Sequence, residues 1–288
     1  MSKEISIEVS SDAKNFLVEA DTERLGDIRI FGALELRYKL RRYFAEFFGM
    51  MILVIFGDGI IATVTLDDFG QIGFIMIAFG WCFGLAMALY ISMGVSGGHL
   101  NPAVTIAMAL FKKMPMSHVP GYLISQFFGA FAGAAIVYGN FSAKFDSFDG
   151  GVRQTTGKYA TAGIFATYPD PENTVVGCFF TEMLLTGLML FILGGIFDKH
   201  LTPARGFEPL AVGFMLFVLI ISTGAMTGSP MNPFRDLAPR IFTSIAGWGS
   251  APFTAYNYHF WIPIVAPTIG AILGIGLYEF FIIPNVRP

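Results

Sequence analysis

Charged side chains are scarce in this sequence of 288 residues: Asp, Glu, Lys and Arg make up 14% of it, against about a quarter in soluble domains. The net charge is −3 and no basic patch is present, which excludes a nucleic-acid-binding surface. Cysteine is rare as well. Both cysteines, Cys82 and Cys178, lie inside apolar runs, where cysteine usually behaves as a small buried hydrophobe, so no structural disulfide is expected.

Patterns that carry catalysis are also missing. The sequence contains no metal-ligand cluster, no nucleophile beside a base and no phosphate-binding glycine loop. Its carboxylates are isolated and form no catalytic pair. An enzyme is therefore the least expected class of function, and no cofactor or metal is predicted.

Apolar residues are abundant, at 54% of the sequence, with 31 Phe and 33 Gly. A helix needs about 20 consecutive apolar residues to cross a bilayer, and six segments have this character. They are 44–64, 73–95, 119–138, 174–197, 209–226 and 261–283. The sequence thus predicts an all-α membrane protein with six transmembrane helices surrounded by lipid.

Basic residues cluster at one set of segment ends. They are Arg37, Lys39, Arg41 and Arg42 before the first segment, Lys112 and Lys113 after the second, and Lys199 and Arg205 after the fourth. Because Lys and Arg in short loops stay cytoplasmic, we predict a multi-pass protein of the cell membrane with both termini cytoplasmic. Residues 1–36 are polar and lack the apolar core of a secretory signal. We predict that they form a mobile cytosolic extension before a single domain at 37–288.

Two halves of the sequence repeat each other. "AEFFGMMILVIFG" is echoed by "TEMLLTGLMLFILGG", each with a glutamate, Glu46 and Glu182. "LNPAVTIAMALF" is echoed by "MNPFRDLAPRIF", and "GAFAG" by "GAILG". The repeats occupy about 43–138 and 174–284, with an extracellular segment at 139–173. Because each half has three spans, an odd number, the second half must be inverted relative to the first.

An Asn-Pro pair, Asn101-Pro102 and Asn232-Pro233, opens a short apolar segment in each half. About ten helical residues extend about 15 Å, half the hydrocarbon thickness. Inversion would bring two such half-helices together at the bilayer centre, where irregular backbone survives only inside protein or beside a wet cavity. Proline suits the first helical position. Asparagine caps the helix through its oxygen and leaves its amide NH2 free to donate outward.

The loops before the half-helices complete this pattern. We expect Gly97-Gly98-His99 and Gly228-Ser229-Pro230 to run extended and to offer carbonyls to a permeant, since glycine permits close backbone approach. Two helix N-termini at one point would repel cations and protons. Central donors with carbonyls along the walls predict a pore for small neutral solutes that form hydrogen bonds.

These residues resemble the major intrinsic protein family, the aquaporins and aquaglyceroporins. "SGGHLNPAVT" matches the first family signature and "NPFRD" is a variant of the second, over a resemblance that runs from about 42 to 283. It implies six tilted helices and two re-entrant half-helices per pore, with four pores in a homotetramer. It assigns motif and pore-lining roles to Gly97, Gly98, His99, Pro102, Ala103, Gly228, Pro230, Met231, Pro233, Phe234 and Asp236.

The resemblance also implies a selectivity filter, formed by Trp81, Ile220, Ser229 and Arg235. Trp81 and Ile220 would pack against the CH groups of a polyol while Arg235 donates to its hydroxyls. Asp236, Pro267 and the long segment 139–173 also resemble the glycerol-conducting branch. The implied function is a passive channel for glycerol and other small uncharged solutes, and for water, that excludes ions and protons.

The sequence departs from the glycerol-channel pattern in two places. Ile220 and Ser229 stand where glycerol channels often carry Gly and an aromatic residue, so the filter also resembles that of plant nodulin-type channels. Phe234 replaces the alanine of the second signature. Its ring either packs between helices or narrows the pore.

Several single residues have two interpretations. Glu46 and Glu182 form either a proton relay or, as their duplication favours, a scaffold whose carboxylates accept backbone N–H donors of the re-entrant loops. His99 is a pH switch or a hydrogen-bonded loop residue, and Arg235 a filter residue or the partner of Asp236. Gly129 with Gly133 and Gly270 with Gly274 predict close helix crossings. Asp58 has no predicted role.

Two other functions remain open at this point. An ion-coupled secondary transporter also uses inverted repeats and broken helices, but it needs an ionisable relay within its path. A protein of adhesion or osmosensing would need a folded terminal domain, which the short termini do not predict.

Overall fold

A computed structural model describes residues 34–198 and 206–283. The chain divides into two compact units, Met1–Arg41 and Arg42–Pro288. In the first unit, residues 34–41 are described and form the start of the first helix. The guanidinium of Arg41 lies 4.3 Å from the ring centre of Tyr38. Most of the extension predicted at 1–36, and the basic residues Lys199 and Arg205, lie outside the described residues.

Within the described ranges, the regular structure is entirely helical, as predicted. The α-helices are α1 (Leu34–Leu66), α2 (Gly73–Ser96), α3 (Pro102–Leu110), α4 (Val119–Asp149), α5 (Val175–Ile196), α6 (Glu208–Thr227), α7 (Pro233–Thr243), α8 (Ala251–Tyr258) and α9 (Ile262–Phe281). Six helical stretches, those containing α1, α2, α4, α5, α6 and α9, are long and apolar enough to cross a membrane. The prediction of six spans is therefore confirmed by length and composition.

Two helices are longer than predicted. α1 begins at Leu34, before the predicted start at 44, and α4 continues to Asp149, past the predicted end at 138. Apolar composition marks only the part of a helix that crosses hydrocarbon, so polar helical ends escape it. The first residues of the predicted extracellular segment are accordingly helical.

The half-helices α3 and α7 have 9 and 11 residues and begin at the prolines of the two Asn-Pro pairs. Asn101 and Asn232 occupy the N-cap positions with extended backbone, and proline at the following position loses no helical hydrogen bond. α3 ends at Leu110, and Lys112 beyond it adopts a positive φ of 57°. The predicted half-length helices are present in both halves.

Glycines bring helix backbones into contact in each half. A Cβ atom on Gly274 of α9 would lie 2.0 Å from the carbonyl oxygen of Gly187 on α5. A Cβ on Gly129 of α4 would lie 2.3 Å from the carbonyl oxygen of Phe47 on α1. The predicted close crossings are confirmed, and they pair the first and last spans of each half in the same way.

Candidate functional site

The loop before α3 is fixed by a buried carboxylate on α1. Glu46 is fully buried, and its Oε1 accepts hydrogen bonds from the backbone N of His99 at 3.0 Å and the Ser96 hydroxyl at 2.6 Å. Its Oε2 accepts from the N of Leu100 at 2.8 Å and from Gln126 Nε2 at 2.7 Å. Four donors compensate the burial of this charge, and the loop is held by its own N–H groups.

The second half repeats this arrangement with fewer donors. Glu182 on α5 is fully buried and accepts from the backbone N of Met231 at 3.1 Å and from the Thr227 hydroxyl. Position 267, the repeat equivalent of Gln126, is a proline, which has no side-chain donor. The two carboxylates thus occupy equivalent places, each behind one re-entrant loop.

The loops are not extended as predicted, because several residues adopt left-handed backbone conformations. Gly97, Gly98 and Gly228 have φ of 92°, 64° and 78°, and Leu100, Ser229 and Met231 each have φ of 48°. A peptide's C=O points away from its N–H. N–H groups directed at the glutamates therefore turn the carbonyls to the opposite side, where these loops line a cavity. The loops therefore direct carbonyls towards the cavity, as predicted, but they do so through left-handed residues and not through extended backbone.

The tips of the two half-helices are joined by their asparagines. Asn101 Oδ1 accepts from the N of Ala103 at 2.8 Å, and Asn232 Oδ1 accepts from the N of Arg235 at 3.2 Å. Asn101 Nδ2 donates to the carbonyl of Met231 at 2.9 Å, and Asn232 Nδ2 donates to that of Leu100 at 2.7 Å. The prediction of a free NH2 is therefore wrong for one of the two hydrogens of each asparagine, because this hydrogen is donated to a carbonyl of the opposite loop. The other hydrogen remains available to a ligand.

A cavity of about 830 Å³ passes this junction and is lined by both halves of the chain. Of the predicted residues it is lined by Trp81, Gly97, Gly98, His99, Asn101, Ile220, Gly228, Ser229, Pro230, Met231, Asn232 and Arg235. The structure thus gathers both asparagines and all four predicted filter residues along one cavity. Its lining continues to Thr167 and Tyr168 at one end and to Lys113 and Glu279 at the other.

Some motif residues lie behind the cavity wall instead. They are Pro102, Ala103, Pro233, Phe234 and Asp236, together with Glu46 and Glu182. The ring of Phe234 packs edge-on against Phe127 of α4, with centroids 5.5 Å apart. This contact settles the two interpretations of Phe234 in favour of packing between helices.

The Arg235 side chain is held from three directions. Its Nη1 donates to the carbonyl of Phe165 at 3.1 Å and lies 3.9 Å from Asp58 Oδ1, and its guanidinium carbon lies 4.2 Å from the centre of the Trp81 ring. Trp81 packs against Gly57, where a Cβ would lie 2.3 Å from the indole. The hydroxyl of Ser229 has no hydrogen-bond partner in the described part of the chain. Arg235 and Ser229 thus bring donors to a cavity that Trp81 and Ile220 line with apolar surface.

The Phe165 carbonyl is placed by the loop between α4 and α5. The Phe165 ring stacks on Phe145 at a centroid distance of 5.8 Å. Arg153 of this loop donates to Asp149 and Asp146 at 2.7 Å each. Burial opposes ionisation of Arg153, but hydrogen bonds to Tyr138 and the two aspartates raise the pKa of its guanidinium above the usual value. The positively charged Arg153 therefore stabilises the loop whose Phe165 carbonyl accepts a hydrogen bond from Arg235.

Asp236 has a different partner from the one considered in the sequence. Its carboxylate accepts from Arg240 Nε at 2.8 Å and from the N and hydroxyl of Thr167 at 2.7 Å each. The alternative in which Asp236 pairs with Arg235 is wrong, since Arg240 lies one helical turn away on the same face. The i,i+4 spacing of Asp236 and Arg240 is the sequence signal for this pair, and it lies outside the Asn-Pro motif.

His99 makes local contacts. Its Nδ1 lies 3.2 Å from the Thr105 hydroxyl and its ring packs on Tyr122 with centroids 5.2 Å apart. At the far end of the cavity, Lys113 Nζ pairs with Glu279 Oε1 at 2.6 Å. From the sequence, Lys113 indicates only the side of the membrane, and no local pattern predicts its pairing with Glu279, because the partners lie in different halves.

Comparisons with known proteins agree with this geometry. The family model described as Major intrinsic protein matches residues 34–278. Aquaglyceroporin-3 of Trypanosoma brucei brucei is 42% identical over 95% of this chain and 89% of its own length, and Aquaporin-9 of Homo sapiens is 44% identical over 85% and 83%. The X-ray structure of the aquaglyceroporin from Plasmodium falciparum has a TM-score of 0.76 at 29% identity, covering 85% of this chain and 97% of that chain. The chain therefore belongs to the major intrinsic protein family, the family of the aquaporins and aquaglyceroporins.

Proposed function

We propose that the chain is a passive transmembrane channel that conducts glycerol, other small uncharged solutes and water. The observation that carries this proposal is a cavity whose lining includes both capping asparagines and extends from Thr167 and Tyr168 to Lys113 and Glu279. The names of its relatives, aquaglyceroporins and an aquaporin, point to the same solutes.

The cavity wall suits a polyol. Trp81 and Ile220 offer apolar surface to the CH groups, while Arg235, in contact with the Trp81 ring, and Ser229 offer donors to the hydroxyls. Farther in, loop carbonyls and one remaining hydrogen on each capping amide bind hydroxyls in turn. We assign the selectivity filter to these four side chains and the central pair to Asn101 and Asn232.

Exclusion of cations and protons follows from the same centre. Two helix N-termini meet there, each equivalent to about half a positive charge, and two asparagine donors point into the cavity. A water molecule between them is held as an acceptor from both sides, which opposes proton transfer through it.

An ion-coupled transporter has no observation in its favour. Glu46 and Glu182, the carboxylates nearest the re-entrant loops, lie behind the loop backbone and outside the cavity lining. Membership of this family of channels argues against an enzyme as well.

The setting of the channel follows from the sequence and the surface. We assign it to the cell membrane with both termini cytoplasmic, residues 1–36 as a cytosolic extension and 37–288 as the channel domain. Exposed side chains such as Phe83, Phe128 and Val218 suit lipid or neighbouring subunits. We propose a homotetramer, which sedimentation in detergent would report as four times the 31.4 kDa chain.

Stopped-flow light scattering on proteoliposomes tests the function. We expect water and glycerol to cross much faster than through bare lipid, and a sodium or proton gradient to leave the glycerol flux unchanged. Glycerol flux equal to that of bare lipid, or driven by either gradient, would contradict the proposal. Purified Asn101→Asp protein, which keeps the cap acceptor but loses the donor, provides a matched comparison.

A further inference from the structure

Asp58 is a buried carboxylate that the channel geometry described so far does not use. It lies in α1, is fully buried, and neither of its oxygens has a hydrogen-bond partner in the described part of the chain. An unpaired charge at this depth is costly. A charged Asp58 at this position therefore needs a partner of opposite charge.

The charge that can compensate Asp58 is that of Arg235. Asp58 Oδ1 and Arg235 Nη1 are 3.9 Å apart, and both side chains are nearly inaccessible to solvent. The other buried pair nearby, Asp236 with Arg240, is closed on itself at 2.8 Å. The remaining contacts of Arg235, with the Phe165 carbonyl and the Trp81 ring, are to neutral groups.

The pair is also arranged across the cavity wall. Arg235 lines the cavity, whereas Asp58 does not, so the carboxylate attracts the guanidinium from behind. A distance of 3.9 Å exceeds that of a charge-assisted hydrogen bond, about 2.7–2.9 Å. The guanidinium therefore has room to move along this line. Without Asp58, only the neutral Phe165 carbonyl and Trp81 ring would oppose its attraction to water in the lumen.

We propose that Asp58 is a positioning residue that sets the solute selection of the channel through Arg235. By drawing the guanidinium towards α1 and balancing its charge, Asp58 keeps the filter wide enough for a polyol. This inference rests on the proposed function. It adds a specificity determinant on the first helix, outside the cavity lining.

A double-mutant cycle tests this role. Wild type, Asp58→Asn, Arg235→Ala and the double variant are reconstituted, and glycerol and water permeabilities are measured on the same vesicles. Their ratio is independent of how much channel is inserted. We expect Asp58→Asn to lower the glycerol-to-water ratio about five-fold, a size typical of residues in contact, because the released guanidinium moves into the lumen and obstructs the larger solute.

In the Arg235→Ala background, Asp58→Asn should change the ratio by less than about two-fold, since there is no guanidinium left to position. Asp58→Glu keeps the charge but shifts the carboxylate by one methylene, so it should lower the ratio less than Asp58→Asn does. Asp67→Asn is the control, because this acid lies just beyond the same helix, is exposed and pairs with Lys144. Thermal unfolding of each variant in detergent verifies that the measured channels are folded.

The results separate the two proposals. If wild type conducts glycerol and Asp58→Asn leaves the ratio unchanged, or shifts it equally with and without Arg235, the positioning role is wrong and the channel function stands. If wild type conducts no glycerol, the proposed function fails and this inference fails with it.

Discussion

The indole ring of Trp81 occupies the space that a side chain at position 57 would need. Because a Cβ at Gly57 would lie 2.3 Å from the ring, Gly57→Ala must push the ring towards the cavity. We expect glycerol permeability to fall several-fold more than water permeability, as measured by stopped-flow light scattering. Gly59→Ala, two residues along the same helix with no atom near its Cβ position, should leave the ratio as in wild type. Equal glycerol-to-water permeability ratios in the two variants would contradict the view that the Trp81 ring limits the width of the cavity.

Removal of the Trp81 ring should have the opposite effect. Trp81 is nearly buried and lies against Arg235, so Trp81→Ala opens space on the apolar side of the proposed filter. We expect a five-carbon polyol to gain about ten-fold in permeability relative to glycerol, the size of discrimination that one or two methylenes supply in an apolar pocket. An unchanged preference for glycerol would show that the limiting constriction lies elsewhere.

Residue patterns in the sequence predicted part of this site. The asparagines, Trp81 and Ile220 lie on the cavity where the motif spacing placed them. The pairings of Arg235 with Asp58 and of Lys113 with Glu279 were missed because each joins residues far apart in sequence. No local periodicity reports such a contact.

Among the elements, the half-helices depend on the loops that precede them. Glu46 and Glu182 bind loop N–H groups, and the asparagines bind the opposite loop's carbonyls. The sequence predicted the two short helices because capping and proline act locally. It did not predict the left-handed residues Leu100 and Met231, because long-range contacts with the glutamates and asparagines hold them.

The crossing of α5 and α9 provides a stability prediction. In Gly274→Ala the new Cβ would meet the carbonyl oxygen of Gly187 at 2.0 Å, and two packed backbones must separate. We expect a loss of about 1–3 kcal/mol, typical of overpacking, seen as a lower midpoint of thermal unfolding in detergent.

Gly94→Ala is the matched control for this crossing. Gly94 lies in α2 with nothing within 4 Å of its Cβ position, so alanine should be neutral or stabilise the helix by up to about 1 kcal/mol. A Gly274→Ala protein that unfolds no earlier than Gly94→Ala would mean that the contact between α5 and α9 is not tight.

At the scale of the whole molecule, the two halves form one wall. Each contributes a first and last span crossed at glycines, a buried glutamate and a capped half-helix. The halves differ where selection is proposed, since Trp81 and Asp58 come from the first and Arg235 from the second. Duplication therefore explains the central asparagine pair, while divergence between the halves accounts for an asymmetric filter.

The orientation of the whole chain can be measured with its own cysteines left in place. Cys82 and Cys178 are 1% and 2% exposed, so an impermeant maleimide should not label wild type. Exposed Glu172, before α5, and exposed Ser117, before α4, are separated by one span and must face opposite sides. With cytoplasmic termini, Glu172→Cys should be labelled on intact cells and Ser117→Cys only after permeabilisation. The reverse pattern would place the termini outside and make Lys112 and Lys113 an exception to the retention of basic loops in the cytoplasm.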